Sequence, residues 1–112
     1  SIADSQDKTT WEKSMCTAVS TAFVESGELV FIENEQSWEQ VGSRYLSRWG
    51  FGKIEHIVAS QESLSFAVKS DANPCMVAGL LMGCMHRGMG KNIYPEWEII
   101  DGTTSIRFDM TR

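Results

Sequence analysis

The sequence predicts an α+β domain: an antiparallel sheet of two hairpins packed against three or so helices, with a Gly/Met-rich helix buried at the centre. Three observations predict it. Ser63 to Lys69 alternates apolar and polar residues, the period of a half-buried strand. Asp101-Gly102 sits between two strand-like runs and is a strong two-residue hairpin turn. Cys75 to Arg87 is apolar almost all round, which suits a helix covered on every side.

The elements follow in order. Residues 1–8 are polar and read as a disordered or appended N-terminus, since the chain begins with Ser, and residues 9–112 read as one ligand-binding-type domain. Thr9 or Thr10 caps a helix to about Glu25, with Trp11, Met15, Ala18, Val19, Ala22 and Phe23 at helical spacing. Ser26-Gly27 ends it. Glu28 to Glu33 admits either a short strand or a helical turn. Ser37 reads as the N-cap of a second helix carrying Trp38, Val41, Tyr45, Leu46 and Trp49, which Gly50 and Gly52 stop.

Lys53 to Ser60 then forms a strand with Ile54, His56 and Val58 on one face. It joins Ser63–Lys69 through Gln61-Glu62, with Leu64, Phe66 and Val68 on one side. Asn73 caps the third helix and Pro74 takes its first position. Gly79 and Gly83 lie on one face of it. Each costs roughly 1 kcal/mol relative to Ala in a helix interior, so another backbone, a ligand or a second subunit is expected against them. The final hairpin places Ile99 opposite Thr104, Trp97 opposite Ile106 and Glu96 opposite Arg107. Trp97, Ile99, Ile106 and Phe108 share one face of it.

Composition excludes several functions. Apolar residues make up 42% and charged residues 22% of the 112, which suits one globular core rather than a disordered chain. The formal charge is −5 and the ten Lys and Arg are scattered, so neither nucleic acid nor an anionic membrane is an expected partner. The longest apolar stretch, near Met76 to Met85, is about half of what a bilayer requires. Cys16, Cys75 and Cys84 show no CxxC spacing, and no signal peptide is visible, so a cytoplasmic location is expected. Cys75 and Cys84 point to opposite sides of a helix, and all three thiols read as small hydrophobes. His86 near a helix end reads as a partner of the last carbonyls. No triad, phosphate-binding loop or HExxH motif is present, so a catalytic role is the less favoured reading.

Gly50-Phe51-Gly52-Lys53 before a strand, Pro74-Cys75-Met76-Val77-Ala78-Gly79-Leu80-Leu81-Met82-Gly83, Gly90-Lys91-Asn92-Ile93 and a hairpin ending Arg107-Phe108 together resemble the 4-vinyl-reductase, or hydrocarbon-binding, domain family. That family is related in fold to the TRAPP vesicle-tethering subunits. The resemblance spans Gly50 to Met110 and implies a sensor or regulatory domain for a hydrophobic or aromatic ligand. Such a domain would act through a homodimer or a fused partner domain. The implied pocket is Trp38, Tyr45, Trp49, Phe66, Met76, Leu80 and Met82, although the methionines equally suit core filling. A protein–protein assembly module without a ligand is the alternative, and an accessory subunit in tetrapyrrole vinyl reduction a second. Several family members bind zinc with thiolates and a carboxylate. Only Cys75 and Glu98 stand near those positions here, with Ile106 at the last, so no cofactor is expected with certainty and zinc only as a degenerate site.

Overall fold

The computed structural model describes the backbone of residues 2–111 and the side chains of residues 8–111. Three helices, α1 (Ile2–Glu25), α2 (Glu35–Arg48) and α3 (Pro74–Met89), accompany four strands: β1 (Lys53–Ala59), β2 (Ser63–Lys69), β3 (Glu96–Ile100) and β4 (Thr103–Asp109). The strands form one antiparallel sheet in the order β1-β2-β4-β3. The two hairpins therefore join through β2 and β4, and α3 crosses between them. The α+β class, the paired hairpins and the central helix are as the sequence predicts.

The inner face of the sheet is Leu64, Phe66 and Val68 of β2 with Thr104, Ile106 and Phe108 of β4, all buried. On α3, Cys75 and every residue from Val77 to Met85 are buried. α3 lies between the sheet and α1, which explains why its apolar surface extends all round. At about 25 cal/mol per Å² of apolar surface removed from water, such a helix is a principal source of the fold's stability.

Local signals explain the ends of most elements. The Asn73 side chain accepts a hydrogen bond from the Cys75 amide at 3.0 Å and Pro74 opens α3. Gly90, with φ of +68°, ends it in the left-handed conformation. Asp101 and Gly102 both have positive φ, 49° and 77°, as a type I′ turn requires. That turn sets the register: Glu96 opposite Arg107, Trp97 opposite Ile106 and Ile99 opposite Thr104.

Three expectations are corrected. The backbone is helical from Ile2, not Thr9 or Thr10, in keeping with a segment that lacks Gly and Pro; Ser1 lies outside the described residues. The N-cap of α2 is Asn34 rather than Ser37, and its side chain accepts the Ser37 amide at 2.9 Å. In β1 a register shift between Ile54 and His56 breaks the alternation. Ile54 and Ile57 turn inward, while His56 and Val58 face solvent. An irregularity of this kind admits an extra residue into one strand, and here it brings Ile57 into the core. Ile99 does share a face with Trp97, but on an edge strand it stays 61% exposed.

Glu28 to Glu33 is neither strand nor helical turn. It is extended, with Val30 and Ile32 inward and Leu29 and Phe31 outward, and pairs with no strand among the described residues. Helices hold it instead. Tyr45 Oη donates to the Leu29 carbonyl at 3.2 Å, Arg87 Nε to the Glu28 carbonyl at 3.2 Å, and Arg48 pairs with the Glu28 carboxylate at 2.8 Å. A side chain at Gly88 would meet Ile32 and Val30 within 3 Å, so glycine there lets the segment lie on the last turn of α3.

Candidate functional site

The seven pocket residues expected from the sequence fall in different parts of the core. Trp38 stacks edge-on against Phe66 at 5.1 Å, and Phe66 against Phe108 at 6.1 Å, on the inner face of the sheet. Tyr45 and Trp49 pack instead around Phe23 of α1, at 4.9 and 6.0 Å. Leu80 is fully buried within the core, and Met76 is half-buried near the start of α3. Met82 borders a mixed polar groove with Thr17, Ser20, Thr21 and His86. The seven thus divide between two aromatic clusters and three positions on α3. Interiors pack to crystal-like density, and helical periodicity shows only that a residue is buried, not whether it faces a void.

Of the seven, Trp38 borders an apolar recess. This pocket, about 170 Å³, lies where the start of α2, the last turn of α3 and one end of the sheet converge. Its walls are Ile32, Trp38, Ala59, Leu64, Met89 and Met110, with Glu33, Asn34, Glu35 and Ser60 also lining it. The polar groups are partly committed. Asn34 Oδ1 caps α2, and Ser60 Oγ accepts the Glu62 and Ser63 amides at 3.2 and 3.0 Å. Ligand contacts with the walls would be mainly apolar. The sequence reading named Met89 among methionines able to line a pocket, but missed Ile32 and Met110 because they come from an irregular segment and a strand end, where periodicity carries no signal.

The glycine face has a different occupant from a second subunit. A Cβ on Gly79 would overlap the Cys16 carbonyl oxygen and stand 2.9 Å from Val19 Cβ; one on Gly83 would stand 3.0 Å from Phe23 Cβ and 3.1 Å from the Ser20 carbonyl oxygen. Gly79 and Gly83 are therefore helix-packing residues under α1, and that face is closed to a dimer partner. Along α1 the inward positions are Cys16, Val19, Ser20 and Phe23, whereas Trp11, Ala18 and Ala22 are exposed. The two glycines of α3 allow the close crossing.

Cys75 and Glu98 do not form a metal site. Cys75 is fully buried near α1, while Glu98 is exposed and lines a groove with Ser65, Ser105 and Arg107. Among the described residues, no group of three or more His, Cys, Asp or Glu could hold a metal ion. His56 and His86 are both exposed.

A cluster the sequence did not reveal lies where α1 crosses the start of α3. Burial pushes the Cys16 thiol up to about 11, opposed by a hydrogen bond with Tyr94 and reinforced by Cys75. Burial, then the Glu12 carboxylate, raises Cys75. Burial, then Cys16, Cys75 and Glu12, raises the Tyr94 phenol. Tyr94 Oη also donates to the Lys13 carbonyl at 3.4 Å, and Trp97 Nε1 to Glu12 at 3.3 Å. Wide sequence separation hid this grouping. The third thiol, Cys84, is raised to about 12 by burial alone. Thiols held protonated are poor nucleophiles and poor metal ligands.

No described helix is long and apolar enough to cross a membrane. Comparison with protein-family models and with curated proteins finds no match for this chain.

Proposed function

We propose that the domain binds a small apolar or aromatic molecule and serves as a sensor or regulatory module for a partner domain or a second subunit. The observation that carries this reading is the apolar recess at Trp38, Met89 and Met110. Its size narrows the ligand. An apolar cavity of about 150 Å³ takes benzene, whereas drug-sized ligands occupy about 300 Å³ or more. A recess of about 170 Å³ therefore suits a single ring or a short hydrocarbon. A tetrapyrrole would have to extend far outside it, so the vinyl-reduction reading rests on resemblance alone.

The location suits a sensor. The recess meets α2, α3, residues 32–34 and one end of the sheet, so a ligand there touches two helices and two strands at once. Differential binding to the ordered arrangement would shift the population toward it. The test is a thermal melt and tryptophan fluorescence titration with benzene, toluene, phenol and a porphyrin. Saturable stabilisation by the single-ring compounds is expected. No shift for any of them, or a response to the porphyrin alone, refutes the reading.

A second reading, protein–protein assembly without a ligand, has its own observation. Leu29 and Phe31 are 72% and 76% exposed, side by side on the extended segment. Apolar side chains so placed suit an interface. A monomeric elution volume at micromolar concentration, unchanged in Phe31→Ser, would refute a dimer formed there.

A further inference from the structure

Cys16 and Cys75 stand on the two helices that the glycine face brings into contact. The contacts pair Gly79 with Cys16 and Val19, and Gly83 with Ser20 and Phe23, so α1 and α3 run in the same direction. Cys75 is one turn before Gly79 on the same face of α3, and so lies beside the turn of α1 that ends at Cys16. Both thiols are fully buried and free, and Tyr94 feels both. With no Cβ at Gly79, the α3 backbone closes on the Cys16 carbonyl, a close crossing of the kind a disulfide, with its Cα separation of about 4.4–6.8 Å, requires.

We propose that Cys16 and Cys75 are a redox pair, oxidised to an intramolecular disulfide by a low-molecular-weight disulfide such as glutathione disulfide. The thiolate of one cysteine attacks a sulfur of the reagent, breaking its S–S bond and releasing one thiol. The second cysteine, losing its proton, attacks the protein sulfur of the mixed disulfide and displaces the other half of the reagent as its thiol. Two protein thiols are oxidised and one reagent disulfide is reduced to two thiols. Burial keeps both cysteines protonated, so reaction requires α1 to lift locally. The product then pins α1 across α3 and restricts the unfolded chain. Cys84 has no part in this: nine residues after Cys75, it lies on the opposite side of α3.

The test treats the whole chain with glutathione disulfide and maps the products by mass spectrometry. Cys75 and Cys84 share one tryptic fragment, from Ser70 to Arg87, so fragmentation and a Cys84→Ser variant assign the bond. The expected result is a Cys16–Cys75 cross-link in wild type and Cys84→Ser, absent from Cys16→Ser and Cys75→Ser. The oxidised chain should melt several degrees above the reduced one, and dithiothreitol should reverse this. Free thiols throughout, mixed disulfides only, a bond to Cys84, interchain bonds or a cross-link that lowers the melting temperature would each overturn the proposal.

Discussion

Gly79→Ala tests the crossing of α1 and α3, because two opposing effects have to be weighed. Replacing glycine inside a helix gains about 1 kcal/mol from backbone entropy. Against this, the new methyl group would overlap the Cys16 carbonyl oxygen and stand 2.9 Å from Val19 Cβ. Neither atom can rotate away, since one is backbone and the other is fixed to it. The helices must separate, and overpacking of this kind costs about 1–3 kcal/mol, here toward the upper end. The net expectation is destabilisation by about 1–2 kcal/mol. For a chain of this length that lowers the melting temperature by roughly 4–8 °C. Gly83→Ala is the internal comparison. Its new Cβ meets Phe23 and the Ser20 carbonyl oxygen at 3.0–3.1 Å, so shifts of a few tenths of an ångström suffice. The helix gain then roughly cancels the crowding, and stability should change by about 0.5 kcal/mol or less. Urea or thermal unfolding followed by circular dichroism reads both. A Gly79→Ala chain as stable as wild type would mean that α1 does not cover this face, and would reopen it as a dimer surface.

Two further predictions concern β1 and the thiols. Ile57→Ala should cost about 2–4 kcal/mol, as for a buried core side chain, and Val58→Ala about 0.5 kcal/mol or less, as for an exposed one. The reverse order in urea unfolding would remove the register shift that turns Ile57 inward. Burial raises Cys16 and Cys84 from 9.0 to about 11 and about 12. The unfolded chain therefore loses these protons before the folded chain does, and alkali favours unfolding. Stability should be full below about pH 9 and fall as pH rises toward 11–12. Cys84→Ala should flatten that fall. A wild-type urea midpoint that holds steady across this range would contradict the burial of both thiols.

The sequence made the sheet legible wherever a local rule acts alone. Asp101-Gly102 specifies its turn, and the turn specifies the register, so the pairs on either side follow. Asn73-Pro74 marks the start of α3 through hydrogen bonding and a fixed φ. The two helical glycines indicate a close neighbour, though not which one, because α1 and a second subunit would leave the same trace. Legibility ends where tertiary contacts decide. The irregularity in β1 exists because Ile57 gains more by burial than the regular alternation would give His56 and Val58. Cys16, Val19, Ser20 and Phe23 face inward while Ala18 and Ala22 stay exposed, because the contact with Gly79 and Gly83 sets the phase of α1 and helical spacing alone does not. The recess walls come from places without periodicity: Ile32 in an extended segment, Met89 in a last helical turn and Met110 just past β4.

The six methionines allow the most direct test of ligand binding. Carbon-13 labelling of their methyl groups places NMR probes at Met15, Met76, Met82, Met85, Met89 and Met110. On titration with toluene, the Met89 and Met110 signals should shift saturably, while Met76 and Met82 stay near their starting positions. Movement at Met76 and Met82 instead, or no movement at any of the six, would contradict a binding site at the recess beside Trp38.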